Sequence, residues 1–265
     1  MNLPQIDNRD LHNEIHVWAV DLDQSNLSCV EAIQELPEAE AKKAGRFHFK
    51  IHHDRYVKGH FMLRSVLGMY LNSDFYDQEF HTNLYGKPAL QKPPDDHSIR
   101  FNISNSENIC VCAFSQYSEI GIDIEKIHDL PDMDRIIARS FSEEEKRRFC
   151  SLPLPGRTQT FFKYWARKEA LLKAMGMGMS YSLNKIDIAG NENSPQLVIK
   201  IEESDISNQW TILDMDIFTG FASALALQGE HRDLAGRVRF FHPADEYVIS
   251  FKEKNNNIFL CGAEI

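Results

Sequence analysis

Apolar and polar positions alternate along this chain in two distinct rhythms. Glu14–Leu22 (EIHVWAVDL) is rich in β-branched and aromatic residues and predicts a first strand. Glu31–Phe47 is helical in composition. Asp54–Leu71 repeats Val57, Phe61, Leu63, Val66, Leu67 and Tyr70 at a mostly helical spacing. Gly86-Lys87-Pro88 predicts a turn and Pro93–Asp96 a loop. Ile99–Phe114 holds two strand-like runs broken at Asn105–Asn108, and Ile120–Ile127 is a further strand. Ser142-Glu143-Glu144-Glu145 is a capping box that starts a helix. Gln159–Met175 is the strongest helix, closed by Gly176-Met177-Gly178. Strands follow at Lys185–Ile188, Gln196–Ile201, Trp210–Ile217 and Phe221–Leu227. The tail, His231–Ile265, is more polar.

Arg55-Tyr56 through Gly68 aligns without gaps on Lys163-Tyr164 through Gly176, with Tyr, Leu and Gly matching. Chance and duplication explain this about equally well. Duplication would make two related halves, with a boundary near Tyr117–Glu119 and a ligand cleft between them.

Composition narrows the classes. The chain has 265 residues, 43% hydrophobic and 26% charged, enough for one large domain or two ordinary ones. A net charge of −10 argues against nucleic acid or an anionic membrane as main partner. No run is apolar enough to span a bilayer, and the first residues lack the pattern of a secretory signal. The five cysteines suggest no disulfide framework and point to reduced thiols in a cytoplasmic protein.

Candidate chemistry begins at Gly121-Ile122-Asp123-Ile124-Glu125. Strand alternation puts Asp123 and Glu125 on one face. Oxygen-only ligands suit a hard cation such as Mg²⁺; a solvated acidic strand face is the competing reading. In the strong helix, Trp165, Glu169 and Lys173 share a face with apolar neighbours, so Glu169 points inward and needs a partner. A surface pair of Glu169 with Lys173 is the alternative. Between Glu38 and Arg64 lie seven Lys or Arg against three Asp or Glu, together with four histidines. This basic island is either a solvated face or a phosphate site.

Taken together, these pieces resemble the 4′-phosphopantetheinyl transferases. Gly121–Glu125 matches the family's G-[IV]-D-x-E. Trp165-Ala166-Arg167-Lys168-Glu169-Ala170-Leu171-Leu172-Lys173 matches W-x-x-K-E-[AS]-x-x-K. Tyr85–Pro88, Phe101–Ser106, Phe141–Glu145 and Gly176–Ser180 resemble lesser family motifs in the same order. The length fits the surfactin-synthetase-type branch.

The resemblance implies an α+β fold of two similar halves, a pseudo-dimer. Each half is a small, mostly antiparallel sheet packed with a long helix, with the active site in the cleft between them. The halves are 1–117 and 118–265. It implies transfer of the 4′-phosphopantetheine arm of coenzyme A to a serine of an apo acyl or peptidyl carrier protein, releasing 3′,5′-ADP. By position, Asp123, Glu125 and Glu169 would hold Mg²⁺. Glu169 would act as base, Lys173 would touch phosphate, and Glu145 would act through a metal-bound water. Lys43 and Arg55 would bind the coenzyme A 3′-phosphate. Lys87, Ser104 and Asn105, with Asp123, would line the nucleotide and pyrophosphate pocket. Asn105 departs from the family's histidine and cannot carry charge. A monomer is expected. A non-catalytic module for coenzyme A or carrier protein, and a Mg²⁺-dependent phosphohydrolase, are the alternatives.

Overall fold

The computed structural model describes residues 11–91, 99–116, 118–178, 181–188, 196–203 and 206–242. The loop expected at Pro93–Asp96, the residues Met179 and Ser180, and the tail beyond 242 lie outside them.

The first strand, β1 (Ile15–Asp21), is buried almost throughout. The helical stretch after it is two helices, α1 (Cys29–Glu35) and α2 (Glu38–Ala44). Pro37 divides them, because the residue before a proline is driven to extended backbone, here Leu36 at ψ 141°. The long helix α3 (Lys50–Tyr70) begins four residues before its apolar repeat. A minimal ladder, β2 (His81–Thr82) and β3 (Pro88–Ala89), brackets the Gly86 turn. The two strand-like runs are β4 (Ile99–Ser106) and β5 (Ile109–Gln116), which form a hairpin around Glu107, at φ 51°.

The second part opens with β6 (Ile120–Lys126), α4 (Met133–Ser140), α5 (Glu143–Ser151) and α6 (Arg157–Met175). The capping box at Ser142 and Glu145 is present, and Gly176 closes α6 in the left-handed conformation. β7 (Gln196–Glu203), β8 (Ile206–Met215), β9 (Phe221–Gln228) and β10 (Val238–Phe241) follow.

The strands form two four-stranded sheets, β10-β1-β5-β4 and β6-β9-β8-β7. Every pairing within them is antiparallel except β1 with β10. Alternation then builds the layers. Val17, Ala19, Val111 and Ala113 of the first sheet pack on Ile122, Ile124, Leu213 and Leu225 of the second. Outside the first sheet, Trp18, Phe101 and Phe114 meet Leu63, Val66 and Tyr70 of α3. Outside the second, Trp210, Ile212 and Ala224 meet Phe161, Ala170 and Leu171 of α6. The order is helix, sheet, sheet, helix: an α+β architecture.

Two expectations are corrected. Lys185–Ile188 is no strand. It is a 3₁₀ turn at Leu183–Lys185 running into unladdered backbone. Buried side chains take the place of a ladder. Lys168 donates to the Leu183 and Ile186 carbonyls, Arg167 donates to the Ile188 carbonyl, and the Ile188 N–H donates to Glu145. Second, the polar tail contains β10, which joins the first sheet by pairing parallel to β1. That pairing crosses the boundary expected between 117 and 118.

Candidate active site

Gly121 brings the two parts of the site together. A Cβ there would stand 2.0 Å from the Ala170 carbonyl oxygen and 2.4 Å from the Ala174 nitrogen. Only a glycine on the strand, facing alanines on the helix, permits β6 to lie this close to α6. Ile120, Ile122 and Ile124 fill the core between the sheets, so Gly121, Asp123 and Glu125 take the other face. Asp123 is 2% exposed, and Glu125 is half-buried. The solvated-strand reading fails on this burial.

Lys173, four residues after Glu169 on α6, donates to Asp123 Oδ1 at 2.6 Å and to Ser104 Oγ at 2.8 Å. Ser104 Oγ also donates to Asp123 Oδ1, at 3.0 Å. Ser106 Oγ donates to Glu125 Oε2 at 3.1 Å and accepts the Lys126 N–H. Asn102 Oδ1 accepts the Ile122 N–H at 2.9 Å. Alternate residues of β4 thus hold the edge of β6 at successive positions. Asn102 and Ser106 carry no assignment from the sequence, and neither does Trp165, which favours the ionised form of Glu125. The one signal for the first two was the period-two pattern of Asn102, Ser104 and Ser106. The pattern does not say which strand they face.

The electrostatics call for a cation. Burial raises the carboxyls of Asp123, Glu125 and Glu169 above their usual ranges. Asp123 adds to the rise at both Glu125 and Glu169, while Lys173 opposes it at all three. Asp123 Oδ2 and Glu169 Oε1 are buried with no hydrogen-bond partner among the described residues. Two orphaned carboxylate oxygens beside a third carboxylate fit a hard divalent ion such as Mg²⁺. The three carboxylates do not all lie within 4.8 Å of one another, so they would draw together around it.

Comparisons with known proteins bear on what such a site is for. Residues 23–117 match the model of the 4′-phosphopantetheinyl transferase N-terminal region, and residues 119–226 match that of the 4′-phosphopantetheinyl transferase superfamily. The chain is 32% identical over 219 residues to the 4′-phosphopantetheinyl transferase HetI of Nostoc sp., covering 83% of this chain and 90% of that protein. It is 30% identical over 212 residues to the 4′-phosphopantetheinyl transferase Sfp of Bacillus subtilis, covering 80% and 86%. The chain belongs to the 4′-phosphopantetheinyl transferase superfamily. Within that superfamily it falls in the surfactin-synthetase-type branch and is a transferase.

The remaining residues that the phosphopantetheinyl transferase resemblance singled out are placed less uniformly. Glu145 is fully buried, ion-paired at 2.9 Å with the equally buried Lys168, and accepts the Ser142 and Ile188 N–H groups. Both oxygens take part in holding the fold. Lys87 is held within the protein. Its three ammonium hydrogens go to Glu119, the Ile120 carbonyl and the Ala174 carbonyl, which ties the Gly86 turn to the end of α6. Asn83 reinforces that tie by donating to the Gly176 carbonyl.

Arg55 meets Asp23 through two hydrogen bonds and Glu107 through one. It lines a cleft of about 370 Å³ with Asp23, Lys50, Asp54 and Lys58. Lys43 is exposed over the Tyr56 ring, 5.3 Å from its centroid, and does not line that cleft. Asn105 is exposed, on the opposite face of β4 from Ser104 and Ser106. The basic island is largely paired within the protein. Arg64, its most buried member, holds Glu40 with two hydrogen bonds and caps the Tyr76 and Gln78 carbonyls.

Proposed function

We propose that this chain transfers the 4′-phosphopantetheine arm of coenzyme A to a serine hydroxyl of an apo carrier protein, releasing 3′,5′-ADP, with Mg²⁺ required. One observation carries the reading. Asp123, Glu125, Glu169 and Lys173 meet at the β6–α6 contact with two carboxylate oxygens unpartnered. The 4′-phosphopantetheinyl transferase relatives HetI and Sfp support it.

In this reading the serine oxygen forms a bond to the phosphorus on the pantetheine side of the pyrophosphate. The bond from that phosphorus to the bridging oxygen breaks, and 3′,5′-ADP carries the electron pair away. Such a step needs alignment and charge neutralisation more than covalent chemistry. Bound Mg²⁺ would neutralise pyrophosphate charge, held by Asp123, Glu125 and Glu169. Glu169 takes the serine proton, because burial keeps its carboxylate more basic than usual. Lys173 swings its ammonium from Asp123 to the transferred phosphate, and Ser104 keeps Asp123 oriented. Lys43 and Arg55 remain the proposed contacts of the 3′-phosphate, and Arg55 frees a donor for it by leaving Glu107. Asn105 contributes hydrogen bonds without charge. The two layers of sheet and helix support a pseudo-dimer, with α3 and α6 as its equivalents. No helix among the described residues is long and apolar enough to cross a membrane.

The test is a mass measurement. The protein, coenzyme A, Mg²⁺ and an apo carrier protein should give a carrier heavier by one phosphopantetheine. Coenzyme A binding without any mass gain, across several carriers, would leave a binding module instead. Coenzyme A breakdown without carrier would indicate a hydrolase.

A further inference from the structure

Away from the carboxylate site, Cys29 opens α1, and His53 and Asp54 lie near the start of α3. One ligand atom from each lies within 4.8 Å of the other two, the one such trio among the described residues. A His53 ring nitrogen is 2.9 Å from Asp54 Oδ1, and Cys29 Sγ is 3.5 Å from the Asp54 backbone carbonyl. All three residues are half-buried. Lys50 pairs with the other Asp54 oxygen from the solvent side.

The donors are a sulfur, an aromatic nitrogen and an oxygen. This is unlike the oxygen-only set at Asp123, Glu125 and Glu169. Thiolate and imidazole select borderline ions, Zn²⁺ above all, and are poor ligands for Mg²⁺. Asp54 also lines the cleft shared with Arg55 and Lys58, so a fourth ligand can approach from that side.

We propose that Cys29, His53 and Asp54 form a three-ligand zinc site that bridges α1 and α3. An apolar cluster around Ala32 and Val57 already packs these helices together, with Cys29 at its margin. A bound ion would lock α1 onto α3 one residue from Arg55, and so stiffen that side of the cleft.

Co²⁺ is the probe, because a cobalt–thiolate bond gives a near-ultraviolet charge-transfer band that oxygen ligands cannot. The full chain, freed of metal, should bind Co²⁺ with that band, and Zn²⁺ should displace it. Cys29→Ser, close to isosteric, should abolish the band and weaken binding at this site by more than about 100-fold, beyond what loss of an outer-sphere partner costs. His53→Gln should weaken binding similarly and gives the same reading if the serine variant folds poorly. Cys150→Ser, which removes the exposed thiol, should change nothing. Absence of the band in the parent protein, its persistence in Cys29→Ser, or its loss in Cys150→Ser would overturn the proposal.

Discussion

The Lys173 ammonium lies 2.6 Å from Asp123 Oδ1, and the other oxygen of the same carboxylate has no partner among the described residues. One oxygen is therefore neutralised by the protein, and one is left for a ligand. Lys173→Met should remove the internal competitor. Mg²⁺ should then raise the melting temperature more in the variant than in the parent, while kcat falls by about 10²-fold or more. An equal Mg²⁺ response in both proteins would remove Asp123 from the proposed ligand set.

Glu169 carries a cost that its function requires. Its folded pKa lies above the usual 4.5. The folded protein therefore binds the proton more tightly than the unfolded chain, and stability falls as pH rises through that raised value. In EDTA, the parent should lose stability as pH rises from 4.5 through the raised folded value, on the order of the spread between the two. Glu169→Gln should lose less and melt no lower than the parent at pH 8. The same variant should transfer phosphopantetheine at least about 100-fold more slowly. Near-parental turnover would reject Glu169 as base.

Gly121→Ala should be the most damaging small change near the site. The added carbon meets helix backbone, which no side-chain rearrangement relieves. A loss of about 3 kcal/mol in urea unfolding is expected, with activity lost as β6 is pushed off α6. A fully stable, active alanine variant would mean that the strand and helix lie farther apart.

Glu145→Gln tests a structural role against a catalytic one. The substitution leaves Lys168 buried without its counter-charge. A destabilisation of about 3–5 kcal/mol is expected. Once the protein is held folded at low temperature, kcat should stay near the parental value. A stable variant that has lost kcat would restore Glu145 to the chemistry.

Glu40 sets an acid limit on the fold. Burial alone would raise its pKa, but the His60 ring 3.1 Å away and the two Arg64 hydrogen bonds outweigh that and bring it to about 2. This is a depressed acid, so its contribution is complete above pH 4.5 and is lost as pH falls towards 2. The span corresponds to about 3 kcal/mol. Glu40→Gln should be less stable than the parent at neutral pH by an amount of that order, with the gap closing on acidification. A constant gap from pH 7 to pH 3 would contradict the pairing.

The strong helix, its glycine cap, the capping box, the hairpin and the Asp123–Glu125 strand all follow from local pattern. Each depends on residues near one another in the chain. The position of Ile186–Ile188 does not. The alternation of Ile186, Asp187 and Ile188 reads as a strand, yet Lys168, Arg167 and Glu145 satisfy its backbone from distant elements. β10 was hidden for a similar reason. Its partner, β1, lies more than 200 residues away, and its surroundings in the chain are polar.

The sequence alone determined that an acidic strand motif and an acidic helix motif exist, and their order matched a known family. Strand alternation already put Asp123 and Glu125 on one face, and helical spacing put Glu169 near Lys173. Tertiary structure decided which charges remain available. Burial and long-range pairing commit Glu145, Lys87 and Arg64 to holding the fold, and they leave Asp123 Oδ2 and Glu169 Oε1 unsatisfied. The charge of a side chain is written in the sequence. Whether that charge already has a partner depends on which distant elements the folded core brings against it.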